Sequence, residues 1–311
     1  MLNRQAAGIN RPLRILLIGT LLVIILTLTA CLTSQASPTP VRKTAMVTAT
    51  KTLPTVQTAS PSPMATAIST ATATQKPVCA AQPGEVSEVA LDTTYLFAPF
   101  KFLVYLPPCY RLEVSRDYPL LILFHGIYND SDQWVRIGAV ETANRLIISG
   151  DVDPFIMVLP YDPTNRDPSM TPFDEIFLQD LFPYINNNYR ILSGANYHSL
   201  GGVSRGAGWA IHFGLLYPEL FGAIGAHSPI IFWEDSADIG KWLDAIPAGK
   251  IPRFTLDIGD NDPNRDSYEK MEKLLTDRDI EFKAHESPGY HKDEYWESQV
   301  ENYIRWYAAG W

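Results

Sequence analysis

Positive charge is in deficit along this chain: 25 Lys and Arg stand against 34 Asp and Glu, a formal net charge of −9. A surface of that sign repels polyanions, which argues against nucleic acid as a partner. Cysteine is scarce, three in 311 residues, an odd number that leaves one over from any pairing. His, Cys and carboxylates nowhere fall at metal-ligand spacing, so neither a metal nor another cofactor is expected. No internal repeat points to a solenoid. Aromatic residues are missing altogether from 32 to 77.

What fills that aromatic-free stretch is Ser, Thr, Ala and Pro without hydrophobic periodicity. Such a composition cannot bury a core, and residues 31–77 read as a disordered tether with a reach of roughly 40 Å. Before it stand Arg4, Arg11 and Arg14, an apolar run from Ile15 to Leu28, and Leu28-Thr29-Ala30-Cys31. A charged start, an apolar middle and small residues at the end make residues 1–30 an export leader. Its last four residues resemble the lipobox of bacterial lipoproteins, which implies acylation of Cys31 and a lipid anchor in the membrane. A plain transmembrane helix over Leu13 to Ala30 is the alternative, being just long enough to span a bilayer. Either arrangement places the rest of the chain outside the cytoplasm. Cleavage after Ala30 removes the three arginines and takes −9 to −12. With Cys31 lipidated, Cys79 and Cys109 remain as a natural pair for an oxidising compartment; bridging them would contribute about 3 kcal/mol by loop entropy, and two separate thiols are the alternative.

The remainder, 78–311, has the size of one domain with a substantial core. Apolar and β-branched runs recur at Phe102–Leu106, Leu120–Phe124, Phe155–Leu159, Ser199–Val203, Phe221–Ala226, Phe254–Ile258 and Glu281–His285. Helical spacing occupies Ala139–Ile148, Glu175–Asn187, Ala207–Tyr217, Ser267–Asp277 and Glu294–Tyr307. Alternating strands and helices with near-continuous apolar strands predict an α/β fold, a mostly parallel sheet covered on both faces. Ligands of such sheets bind at the C-terminal ends of the strands.

Three pieces of sequence fall at those ends. Gly202-Val203-Ser204-Arg205-Gly206 lies between a strand run and a helix run, the context that makes Gly-x-Ser-x-Gly a nucleophile elbow. Asp262 follows the strand ending at Ile258, and His291 follows the strand ending near Glu286. The order Ser, acid, His is that of the α/β-hydrolases. A serine hydroxyl is too weak an acid to attack a carbonyl unaided; His291 would take its proton while Asp262 fixes the imidazole. Asp260 competes with Asp262 for that place. The tetrahedral intermediate needs donors for its oxyanion. The backbone N–H of Arg205 and that of Ile127, in Phe124-His125-Gly126-Ile127, are nominated.

Together with these motifs, Val104-Tyr105-Leu106-Pro107-Pro108, Trp134, Leu181-Phe182-Pro183-Tyr184-Ile185, Tyr217-Pro218 with Phe221, and Trp296 make the domain similar to an esterase group of α/β-hydrolases. That group includes S-formylglutathione hydrolases, feruloyl and acetylxylan esterases, enterochelin esterases and mycolyltransferases. The resemblance implies acyl-ester hydrolysis or acyl transfer by Ser204, His291 and Asp262, and the Gly-x-x-Asp spacing of the group favours Asp262 over Asp260. Two positions depart from the group's pattern: Ala207 stands where a second glycine is usual, and Cys109 where Gly commonly precedes a Tyr.

Candidates for pocket walls are His125, Trp134, His227, Ser228 and Trp296, with His125 shaping the oxyanion loop. Loops Tyr128–Gln133, Asp162–Phe173 and Pro229–Ile246 would complete the walls. His198, His212 and His285 read as packing or surface residues, Asp257 as structural, and the Arg205 side chain as a surface ion pair. The leading expectation is a surface-anchored serine esterase acting on extracellular esters, acyl or feruloyl groups on polysaccharide among them. An acyltransferase and a binding lipoprotein that kept the fold without the chemistry are the alternatives.

Overall fold

The computed structural model describes residues 82–311, all within the unit Ala71–Trp311. The leader, Cys31, the tether and Cys79 lie outside the described residues.

Four runs have every residue buried: β3 (Leu120–Phe124), β4 (Ile156–Pro160), β5 (His198–Val203) and β6 (Ala223–His227). Strands covered on both faces need no polar alternation, which is why they read as unbroken apolar or small-residue runs. Around them stand β1 (Glu85–Leu91), β2 (Phe100–Leu106), β7 (Arg253–Gly259) and β8 (Phe282–Ser287), in the order β1-β2-β4-β3-β5-β6-β7-β8. β2 runs antiparallel to β1 and β4, and all other pairings are parallel.

Successive side chains of a strand go to opposite faces. Leu120, Ile122 and Phe124 join a core with Phe177, Phe213 and Met271, while Leu121 and Leu123 join one with Ala143, Leu146 and Tyr303. The second core is closed by α2 (Ala139–Ser149) and α8 (Asp293–Ala308), which pack on each other. The first is closed by α5 (Arg205–Leu216), α6 (Ile239–Ala245), α7 (Arg265–Thr276) and a continuous helical stretch. That stretch runs from α3 (Phe173–Glu175) through a π-helical segment, Ile176–Leu181, into α4 (Phe182–Asn188). A short α1, Gln133–Arg136, precedes α2.

The α/β fold with helices on both faces is the one expected. β1 went unread because its residues are almost all exposed: an edge strand needs no apolar pattern. α6 lies inside the stretch Pro229–Ile246 that was expected to be loop.

The chain passes from β3 to β4 on one side, then crosses to β5 on the other. In sheets of this kind such a reversal is where ligands bind, at the C-terminal ends of the two strands, here β3 and β5. Phe124 pairs with Gly202, so the loop after β3 and the turn after β5 emerge side by side.

Candidate active site

Ser204 stands between β5 and α5 with φ 56° and ψ −119°. A non-glycine residue in that region costs of order 1–3 kcal/mol and persists only where its surroundings over-determine it. Here the Ser204 N–H donates to the His227 carbonyl at 2.8 Å. Its own carbonyl accepts from the N–H groups of Ala207 at 3.0 Å, Gly208 at 3.3 Å and Ile230 at 3.3 Å. The flanking glycines are steric necessities. A Cβ on Gly202 would lie 2.2 Å from the Gly206 carbonyl carbon, and one on Gly206 would lie 2.2 Å from the Phe124 carbonyl oxygen. Both obstacles are backbone and cannot swing aside.

His291, in the loop between β8 and α8, lies over this turn with Nε2 2.8 Å from Ser204 Oγ. Its Nδ1 lies 3.0 and 2.9 Å from the two carboxylate oxygens of Asp262, which follows β7. An ionised carboxylate only accepts, so Nδ1 carries the proton and Nε2 is left to accept from the serine hydroxyl. The imidazole is 23% exposed and the Asp262 side chain 0%: the ring reaches solvent and the carboxylate does not. Burial pushes the Asp262 carboxyl upward, yet hydrogen bonds from His291, the Asn264 N–H and Ser228 outweigh it and hold the group below its usual range. Asp260 is turned elsewhere. Its carboxylate is exposed and accepts from the Gly289 N–H at 2.9 Å and from Asn261 at 2.7 Å.

The oxyanion candidates flank the serine. Neither the N–H of Arg205 nor that of Ile127 donates to another group among the described residues. The neighbouring Gly126 N–H is occupied by Gln133 Oε1 at 2.7 Å. His125 fixes the same loop. The Asp162 N–H donates to its Nε2 at 2.9 Å, so Nδ1 holds the proton and donates to the Gly126 carbonyl at 2.7 Å. Burial keeps this imidazole neutral by lowering its pKa.

The other residues proposed as pocket walls are all buried. Trp134 is buried and donates through Nε1 to the Phe124 carbonyl at 2.9 Å. His227 is fully buried, stacked on Tyr303 at 3.6 Å, with its pKa pushed down to about 3 by burial. Trp296 packs edge-on against the His291 ring at 5.0 Å and donates to Ser228 Oγ at 2.9 Å. Ser228 therefore lies behind Asp262, between acid and tryptophan. An indole large enough to line a pocket is also large enough to fill the core, and sequence alone does not say which.

The Arg205 side chain is likewise no surface ion pair. Its guanidinium and the Asp162 carboxylate, 2.9 Å apart, are 4% and 5% exposed. It lies near the Trp209 and Phe232 rings, donates also to the Arg166 carbonyl, and shares Asp162 with Trp209 Nε1. Of the histidines without motif context, His285 is exposed and His198 is buried between backbone carbonyls, as expected of packing and surface residues. Sequence reading missed Gln133, Asp162 and Asp293, whose roles depend on contacts 7 to 160 residues away. Only the Gln133-Trp134 pair beside the His-Gly loop gave a local signal.

The family model "Putative esterase" matches residues 93–307. An endo-1,4-beta-xylanase/feruloyl esterase of Xylanibacter ruminicola is 29% identical over 133 residues, 39% of this chain and 18% of that protein. The chain thus spans under a fifth of that relative's length. Among solved structures, a ferulic acid esterase superposes with TM-score 0.66 at 20% identity, covering 73% of this chain and 98% of that one. The ferulic acid esterase of Anaeromyces mucronatus, in complex with ferulic acid, gives 0.61 at 20% identity over 72% and 90%. An S-formylglutathione hydrolase of Staphylococcus aureus gives 0.60 at 17% identity over 73% and 98%. With a family match over most of the domain and an eight-stranded sheet of the matching architecture, the chain belongs to the "Putative esterase" family of α/β-hydrolases.

Proposed function

We propose that this chain is a surface-anchored serine esterase that hydrolyses extracellular carboxylic esters, feruloyl or other acyl groups on polysaccharide among them. The observation that carries the reading is the unbroken hydrogen-bonded line from Asp262 through His291 to a strained Ser204. In this reading Ser204 Oγ attacks the ester carbonyl carbon while its proton passes to His291 Nε2. The Ile127 and Arg205 amides receive the oxyanion, and Asp262 stabilises the imidazolium. The carbon–oxygen bond to the alcohol then breaks, and His291 returns the proton to the departing oxygen. Water repeats the sequence on the acyl-serine: His291 takes its proton, its oxygen joins the carbonyl carbon, and the acid leaves as Ser204 regains the proton. Feruloyl esters as one substrate class are supported by the feruloyl and ferulic acid esterases among the similar proteins.

Anchoring through Cys31 and action outside the cytoplasm are supported by the leader pattern and the aromatic-free tether. A Cys79–Cys109 bridge belongs with that compartment and is proposed with it.

The test is intact mass of the full chain in detergent after exposure to a fluorophosphonate, beside Ser204→Ala and His291→Ala, followed by an ester panel from acetyl to feruloyl. One adduct per wild-type chain, absent from both variants, with turnover of some ester, is expected. Wild type that neither labels nor turns over would refute the reading.

A further inference from the structure

We propose that Gln133 is a positioning residue for ester hydrolysis, its amide tying the oxyanion loop to the segment that carries His291. The proposal rests on the serine esterase reading above.

Gln133 begins α1 and is completely buried, an unusual place for a carboxamide unless both of its ends are satisfied. They are. Oε1 accepts from the Gly126 N–H at 2.7 Å, and Nε2 donates to Asp293 Oδ1 at 2.8 Å. The partners settle which way the amide points, since an N–H can only donate and a carboxylate only accept.

One end of this link acts on the oxyanion loop. By holding the Gly126 N–H, Gln133 fixes the peptide that enters Gly126. The peptide that leaves it has its carbonyl held by His125 Nδ1 at 2.7 Å and by the Asn129 N–H at 3.2 Å. In a planar trans peptide the next N–H points opposite to that carbonyl, so the Ile127 donor is set in direction. The other end acts on the base. Asp293 lies two residues past His291 and opens α8. Its second oxygen accepts from Arg136 at 2.9 Å, and Arg136 returns to the oxyanion loop through Asn129 Oδ1 at 2.8 Å. The circuit therefore closes, but its Arg136 leg is 46% exposed and screened by water. The buried Gln133 leg is the one that holds the spacing between the oxyanion donor and the imidazole.

The experiment compares full-length wild type, Gln133→Leu and Gln133→Glu in kcat and KM on an aryl ester from pH 5.5 to 8.5, with fluorophosphonate labelling rates. Complete loss of an oxyanion donor costs roughly 100- to 1,000-fold in kcat; a displaced donor in Gln133→Leu should cost roughly 10- to 100-fold, with KM within about twofold. Gln133→Glu is the arm that a merely structural role would not move. Facing Asp293, its carboxyl is held protonated to a higher pH than usual. Once protonated it offers one acceptor and one donor, as the amide does. Its kcat relative to wild type at the same pH should rise as pH falls. Gln133→Leu within about threefold of wild type, or a Gln133→Glu ratio flat across pH, overturns the proposal. A wild type inert to both ester and fluorophosphonate refutes the esterase reading and this one with it.

Discussion

His212, on α5 two turns beyond Ser204, sits between two acids, and the stability of the domain should carry its titration. Nδ1 lies 2.9 Å from Asp235 and Nε2 3.0 Å from Asp174, and the ring is 6% exposed. Both partners only accept, so the ring is an imidazolium. Burial alone would lower its pKa, but the two carboxylates overcome this and raise it to about 9. A group raised in the folded state stabilises fully below its unfolded pKa of 6.5 and loses that contribution as pH climbs through the folded value. The interval from 6.5 to about 9 corresponds to on the order of 3 kcal/mol, or roughly 8 °C in Tm for a domain of this size. The assay is urea or thermal unfolding of wild type and His212→Gln between pH 6 and pH 10, followed by tryptophan fluorescence. Comparing the two cancels every other titration. The gap should be largest at pH 6 and close by about 3 kcal/mol toward pH 10. A gap constant across that range would refute the doubly paired imidazolium.

Asp262→Asn leaves the fold intact but lets the imidazole take the wrong tautomer, and kcat should fall on the order of 10,000-fold on any ester that wild type cleaves. Asp260→Asn should stay within about tenfold, since that carboxylate only braces the Gly289 N–H and Asn261. An equal loss in both would displace Asp262 from its assigned role. Gly206→Ala drives a Cβ into the Phe124 carbonyl, so fluorophosphonate labelling should be abolished; normal labelling would show that the elbow can relax. Arg205→Leu strands Asp162 as a buried unpaired charge, which should cost about 3–5 kcal/mol in urea unfolding. Arg205→Leu paired with Asp162→Asn should recover part of that loss, and no recovery would deny the coupling.

The sheet was legible because fully buried strands such as Leu120–Phe124 leave unbroken apolar runs, and because helices such as Asp293–Ala308 show their apolar period. β1, with Glu85, Ser87 and Glu88 exposed at the edge, leaves no such trace. Ser204, Asp262 and His291 could be placed at the site because each follows a strand, and strand ends converge in this architecture. The fates of Trp134, His227 and Trp296 could not. Their burial depends on helices and loops packed from distant positions, and a residue type that suits a pocket wall suits the core equally. Arg205 shows the same limit with charge: nothing near it in sequence announces Asp162, 43 positions earlier.

β6 makes the difference concrete. It lies between the strand that delivers Ser204 and the strand that leads to Asp262, and it delivers no reacting group itself. Yet the His227 carbonyl holds the Ser204 N–H, the Ser228 N–H donates to the Asp257 carbonyl at 2.6 Å, and the Ser228 carbonyl accepts from Asn264 at 3.0 Å. Ser228 Oγ accepts from Trp296 and donates to Asp262, so one serine at φ 49° touches the acid and the indole that backs the base. Most of these bonds use backbone atoms, which every residue carries, and so leave no signature in the sequence. Motifs mark the candidate groups; the strand between them, unmarked, sets the distances at which they stand.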